Sequence, residues 1–124
     1  MNKPAQNPSR RQKGDSAEDI AVDFLRRQRY RILERNYRVP CGEIDIIARQ
    51  GGHLCFIEVK FRRGGLEDAL EAVSPAKQRT IRRVASFYLQ EQGKDDAFCR
   101  FDVVALIADH ERDNVRPHLI KDAF

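Results

Sequence analysis

The chain has three cysteines, Cys41, Cys55 and Cys99, and no Cys-x-x-Cys pair. An odd count without paired spacing excludes a disulfide framework and fits a reducing, cytoplasmic compartment. His53, Cys55 and Cys41 match no zinc spacing, and His53-Leu54-Cys55 would still need two further ligands. No apolar run is long enough to span a bilayer, so no membrane association is expected. Met1 to Lys13 carries basic residues with no apolar stretch behind them, which excludes a secretory signal. Gly-rich phosphate loops, nucleophile elbows and dinucleotide-binding fingerprints are missing, as is any internal repeat. Charge of one sign is also scarce: 23 Lys+Arg against 19 Asp+Glu leave a net charge of +4. Such a balance permits a phosphate-rich partner without demanding one.

What is present suffices for one domain, since 124 residues bury a core without disulfide or metal staples. Residues 1–13 hold Pro4, Pro8 and four Lys/Arg with almost nothing to bury, and read as a disordered basic tail. Residues 14–124 read as a single domain. Asp15 to Arg29 carries Ala17, Ile20, Ala21, Phe24 and Leu25 at helical spacing, with Asp15 and Glu18 as a capping box. Strands are expected over Tyr30 to Val39, Glu43 to Ala48 and His53 to Phe61, the last two joined by a turn at Arg49-Gln50-Gly51-Gly52. A short helix from Leu66 to Val73 precedes a long one, started by Ser74-Pro75, striped by Ile81, Val84, Ala85, Tyr88 and Leu89, and closed by Gly93. The apolar run in Arg100 to Ile107 suits a central strand, and Pro117 confines a strand at Val115 to Ile120 to an edge. Helices alternating with strands in this order predict an α/β fold, a mixed sheet flanked by helices.

The chemistry concentrates in Gly42-Glu43-Ile44-Asp45-Ile46-Ile47 and Phe56-Ile57-Glu58-Val59-Lys60. Strict strand alternation puts Glu43 and Asp45 on one face, with Ile44 and Ile46 on the other. Glu58 and Lys60 share a face in the next strand. With Gly51-Gly52 as the turn, Asp45 lies opposite Glu58; with Gln50-Gly51 it lies diagonal to it. In either register Asp45, Glu58 and Lys60 emerge together. Paired carboxylates roughly 4.5–8 Å apart at Cβ repel each other, and a hard divalent cation relieves the repulsion. Such an ion polarises a phosphodiester and acidifies a bound water, and a nearby lysine can act on that water or on the phosphate. The plainer reading is a salt-bridged strand face. Against it stands the burial that Phe56, Ile57 and Val59 imply, where unpaired charge is costly.

These residues resemble the core of the PD-(D/E)XK, restriction-endonuclease-like superfamily, and more closely the YraN-type family of small bacterial proteins within it. The likeness extends from Gly14 to Phe124 and includes Glu18, Asn36-Tyr37-Arg38, Lys77-Gln78 and Arg100-Phe101-Asp102-Val103-Val104. It implies a restriction-endonuclease-like fold and Mg²⁺- or Mn²⁺-dependent hydrolysis of nucleic acid, DNA above all. By the same likeness Asp45, Glu58 and the Val59 carbonyl hold the metal, Lys60 is catalytic, and Glu18 is an accessory acid. Lys77 and Gln78 approach the nucleic acid. Arg62 and Arg63, beside Lys60, suit phosphate contact. Ile44 departs from the superfamily's nominal proline, and Glu43 adds a further acid. A non-catalytic nucleic-acid-binding or scaffold module is the rival reading. A homodimer, with the apolar C-terminal end in its interface, would suit cutting of two strands.

Overall fold

A computed structural model of the chain describes residues 8–93, 98–109 and 114–124. Pro8 opens the first helix, α1 (Pro8–Arg27), where a missing amide hydrogen costs nothing. The helix therefore starts before Asp15, and the expected capping box is corrected: Asp15 lies inside α1, too late to serve as its cap. Residues 8–13, expected as tail, are helical, and residues 1–7 lie outside the described residues. Ala21 and Leu25 are fully buried along the expected stripe, joined by Val22.

The first three strands form a meander. β1 (Arg31–Val39), β2 (Gly42–Gln50) and β3 (His53–Arg62) are joined by turns at Pro40-Cys41 and Gly51-Gly52. Gly51 takes a φ of 60°, the left-handed conformation that a two-residue hairpin turn requires. Gln50 therefore pairs with His53 and Ile46 with Ile57, the first of the two registers above.

After β3 the chain crosses over through α2 (Leu66–Glu71) and α3 (Pro75–Gln92). The Ser74 Oγ accepts the Lys77 amide at 3.2 Å, Pro75 follows as the first helical residue, and Gly93 closes α3 at φ 66°. β4 (Cys99–Asp109) then lies parallel to β3, and β5 (Asn114–Ile120) returns antiparallel at the edge. Pro117 sits on that edge strand, where a missing donor is best tolerated. The five-stranded mixed sheet thus runs in the order β1-β2-β3-β4-β5, an α/β arrangement flanked by helices and consistent with a restriction-endonuclease-like fold.

Two apolar layers sandwich the sheet. On one side Ile46, Ala48, Cys55, Ile57, Val104 and Leu106 pack against α1. On the other, Ile44, Ile47, Leu54, Phe56, Phe101 and Val103 pack with Ile81, Val84, Ala85 and Tyr88 of α3. The C-terminal residues expected at a subunit contact fold back onto this second layer. Ala123 donates its amide to the Phe101 carbonyl at 2.7 Å, Phe124 stacks on Phe101 at 5.3 Å, and the Arg82 guanidinium lies 4.5 Å from the Phe101 ring centre.

Asp102 is fully buried on the α1 side and its carboxylate is saturated. It accepts from the Tyr30 hydroxyl at 2.8 Å, the Arg100 Nε at 3.0 Å and the Asp122 amide at 2.9 Å. Arg100 also donates to the Gln50 side chain at 3.0 Å, tying the network to the β2–β3 turn. Burial and the Asp102 carboxylate hold the Tyr30 hydroxyl well above its usual range. The Arg100–Asp102 pair, a plain structural expectation from sequence, is therefore the hub of a network joining the α1–β1 connection, β2, β4 and the C-terminal turn.

β2 lies close against α3 at Gly42, where an added Cβ would lie 2.6 Å from the Thr80 methyl and 3.2 Å from a Val84 methyl. Both neighbours are β-branched and stiff. Gly42→Ala should lower stability by about 1–3 kcal/mol, seen as a fall in thermal midpoint, and Thr80→Ser in the same chain should recover part of the loss. An unchanged midpoint would remove the contact as the reason for glycine here. Asp102→Ala should cost about 3–5 kcal/mol in urea unfolding, because the half-buried Arg100 would lose its carboxylate partner. Tyr30→Phe, which removes only one donor, should cost about 1–3 kcal/mol.

Candidate active site

The site lies where β2 and β3 part. Their ladder ends at the Ile46–Ile57 pair, and Asp45 and Glu58 come next in that register. Here the expected alternation of β2 fails. Ile46 packs on the α1 side, but Ile44, two residues away, packs on the α3 side with Ile47. Ile44 and Ile46 thus lie on opposite faces, and Glu43 and Asp45 do not form the simple shared face that alternation implied. The physical reason is a local break in the strand at Asp45. The Asp45 side chain reaches across to β3, where its Oδ2 accepts the Val59 amide at 2.8 Å. A side-chain oxygen thus takes a main-chain donor just beyond the last paired residues. Glu43 turns instead to Arg38, at 2.8 Å.

Glu58 is buried, with 4% of its surface exposed, and two cations meet it on one oxygen. Lys60 Nζ lies 3.2 Å from Oε2, and Lys77 Nζ, from the first turn of α3, lies 3.6 Å from the same atom. Burial and the Glu58 charge push the Asp45 carboxyl up to about 7, against the Val59 amide, which favours its ionised form. Asp45 therefore holds its proton to a higher pH than an ordinary aspartate.

Asp45, Glu58, Val59, Lys60 and Lys77 thus come together around the end of the β2–β3 ladder. Gln78, next to Lys77, uses its side-chain amide on the Val73 carbonyl at 3.0 Å and secures the α2–α3 corner. Arg62 donates to the Phe61 carbonyl at 2.7 Å, and Arg63 is exposed beyond it. Glu18 makes its described contacts with β1, not with the lysines. Its Oε1 accepts from Arg35 Nη2 at 2.8 Å and from Asn36 Nδ2 at 3.1 Å. Asn36 was part of the family likeness without an assigned role. Its signal in the sequence was an asparagine in mid-strand, a residue that tolerates left-handed backbone.

A cation could find hard oxygen donors here in the two carboxylates and the Val59 carbonyl, a set that suits Mg²⁺ or Mn²⁺. The raised Asp45 marks a place where added positive charge would be favourable. Among the described residues no group of three or more His, Cys, Asp or Glu side chains converges, so main-chain and water oxygens would complete the shell. Likewise, no helix among them is long and apolar enough to cross a membrane.

Comparison with known sequences adds family but not activity. The profile of "Uncharacterised protein family UPF0102" matches residues 17–106, a span that contains Glu18 and the whole β2–β3 site. A UPF0102 protein of Caldicellulosiruptor saccharolyticus is 40% identical over 117 residues, covering 94% of this chain and 99% of its own length. One from Geotalea uraniireducens is 46% identical over 114 residues, 90% of this chain and 87% of its own. One from Nitrosococcus oceani is 40% identical over 124 residues, 98% of this chain and 96% of its own.

The raised Asp45 makes a pH prediction with a fixed sign. The folded state holds this proton up to about pH 7, whereas the unfolded chain releases it near the ordinary value of 3.8. The Asp45 contribution to stability is therefore greatest below pH 4 and is lost as pH rises toward 7. Asp45→Asn, which keeps an acceptor for Val59 but cannot ionise, should match the wild-type melting temperature at pH 4. At pH 8 it should exceed the wild type by about 5 °C or more. A difference that does not grow with pH would show that Asp45 ionises without penalty.

Proposed function

The chain belongs to the uncharacterised protein family UPF0102, and from its site we propose that it is a Mg²⁺- or Mn²⁺-dependent nuclease hydrolysing phosphodiester bonds of nucleic acid. One observation carries this reading: Asp45 and the buried carboxylate Glu58 follow the last β2–β3 pair together, with Lys60 3.2 Å from Glu58. A core does not gather two acids and a lysine at the end of a strand pair for stability, since apolar residues of similar size do as well or better there. The ion would polarise the phosphate and supply an acidified water.

Each side chain then has a task. Asp45 and Glu58 ligate, and the Val59 amide fixes the Asp45 rotamer. A bound ion would favour the ionised Asp45 carboxylate, so affinity would rise with pH. Lys60, drawn from Glu58, orients the attacking water or stabilises the phosphate charge. Lys77, Arg62 and Arg63 hold the backbone of the substrate. The absence of a base-reading element favours DNA recognised by its structure, flapped or branched, over a sequence-specific target. A homodimer in the cytoplasm completes the proposal.

A second reading has its own support. Lys60 and Lys77 already neutralise Glu58 from within the chain, as they would in a non-catalytic nucleic-acid-binding or scaffold module. Labelled linear, flapped, four-way and single-stranded substrates incubated with Mg²⁺ or Mn²⁺ separate the two. The nuclease cleaves at least one of them, Asp45→Asn does not, and Lys60→Met is slower by about 10²-fold or more. Equal cleavage by wild type and Asp45→Asn would point to a contaminant, and binding without cleavage would favour the module.

A further inference from the structure

The break in β2 has a counterpart in β1. Arg35 pairs with Ile46 and Tyr37 with Ile44, but the intervening Asn36 and Asp45 pair with neither strand partner. Asn36 has a φ of 56°, the left-handed region, in the middle of a strand. Its neighbours face opposite ways: Arg35 meets Glu18 and Asp19 of α1 at 2.8 Å each, while Tyr37 packs edge-on against Tyr88 of α3 at 5.1 Å. Ile44 and Ile46 divide between the same two sides. One pair of residues thus rotates both strands together, and Asp45 is the member that faces β3.

We propose that Asn36, clamped by Glu18, is a positioning residue that turns Asp45 out of the β1–β2 ladder and onto β3. Asparagine suits the task twice. It adopts the left-handed conformation more readily than most residues with a Cβ, and its Nδ2 reaches the Glu18 Oε1 at 3.1 Å. The same oxygen receives both Nε and Nη2 of Arg35, at 3.1 and 2.8 Å, so α1 grips β1 at the residues where it turns. A side chain that resists the left-handed region would restore the flat ladder, bring Asn36 and Asp45 back into its pairing, and withdraw Asp45 from the Val59 amide. Glu18 then acts through the backbone of β1, and needs an accepting oxygen, not a charge.

The inference rests on the metal-site reading only where an ion is the readout, so two measurements are made on each full-length variant. Amide hydrogen exchange at Val59, followed by NMR, reports the Asp45 bond without any metal, and Mn²⁺ titration reports the site. Asn36→Gly, free to adopt the same backbone, should keep both within about 3-fold of wild type. Asn36→Val should lose about 5- to 30-fold of Val59 protection, the size of the left-handed penalty, and about 10-fold or more of Mn²⁺ affinity, as loss of an outer support does. If the valine variant does not fold, Asn36→Ala is compared with Asn36→Gly in the same way. Glu18→Gln should stay close to wild type in both, and Glu18→Ala should lose part of each. Equal Val59 protection in the glycine variant and its valine or alanine counterpart would overturn the proposal. Mn²⁺ affinity unchanged in Asp45→Asn would instead overturn the metal reading, and leave Val59 exchange to judge Asn36.

Discussion

Placing carboxylates where water barely reaches them is the constraint around which this sheet is organised. Among the described residues two charged side chains are buried, Asp102 and Glu58, and they are treated differently. Asp102 receives a hydroxyl, a guanidinium and an amide, so every demand of its charge is met inside the fold. Glu58 receives two ammonium groups crowded on one oxygen, on flexible stems that reach it from β3 and α3. Saturated, rigid coordination holds a structure together. Coordination by mobile point charges can be exchanged for something else, and that contrast separates the hub near the β2–β3 turn from the site at the other end of the same strand.

The two ends are linked through β3 and β4. Their parallel register sets Cys55 beside Arg100 and Ile57 beside Asp102 at one end, then Glu58 beside Val103 and Lys60 beside Ala105 toward the other. On the β4 side, apolar neighbours at Val103 and Ala105 offer Glu58 and Lys60 no counter-charge. Lys77 is brought in by the long helix, whose placement follows from the Ser74 cap and the close approach of Thr80 and Val84 to Gly42. Tight packing at a residue without chemistry of its own therefore decides where a cation of the site stands.

Much of this was legible in the sequence. Ser74-Pro75 and Gly93 bounded α3 because capping chemistry is local, and Pro117 marked the edge strand because a missing donor excludes the sheet interior. The glycine turn was legible too, but it left two registers open, and the structure takes the one with Gly51-Gly52 as the turn, which puts Asp45 next to Glu58. The start of α1 was misread because an Asp–Glu capping box and a Pro at the first helical position are both valid signals, and the later one was chosen. The break at Asn36 and Asp45 was invisible for a deeper reason. Ile-Asp-Ile is a perfect alternation on paper, and only the helices on the two sides determine that its isoleucines part company. Lys77 came into view through family likeness alone, since proximity across a crossover has no periodic signature.

The short turns of the meander also order events in time. β1, β2 and β3 meet through two-residue connections, whereas β4 must wait for the whole α2–α3 crossover to be laid down. Local pairing precedes distant pairing in a folding chain, because less loop entropy is lost in closing it. Asp45 and Glu58 therefore confront each other early, with Lys60 as the nearest counter-charge, and Lys77 arrives late. Until the crossover closes, Glu58 has Lys60 beside it but not Lys77, so the second cation of the site is supplied only as the long-range contacts form.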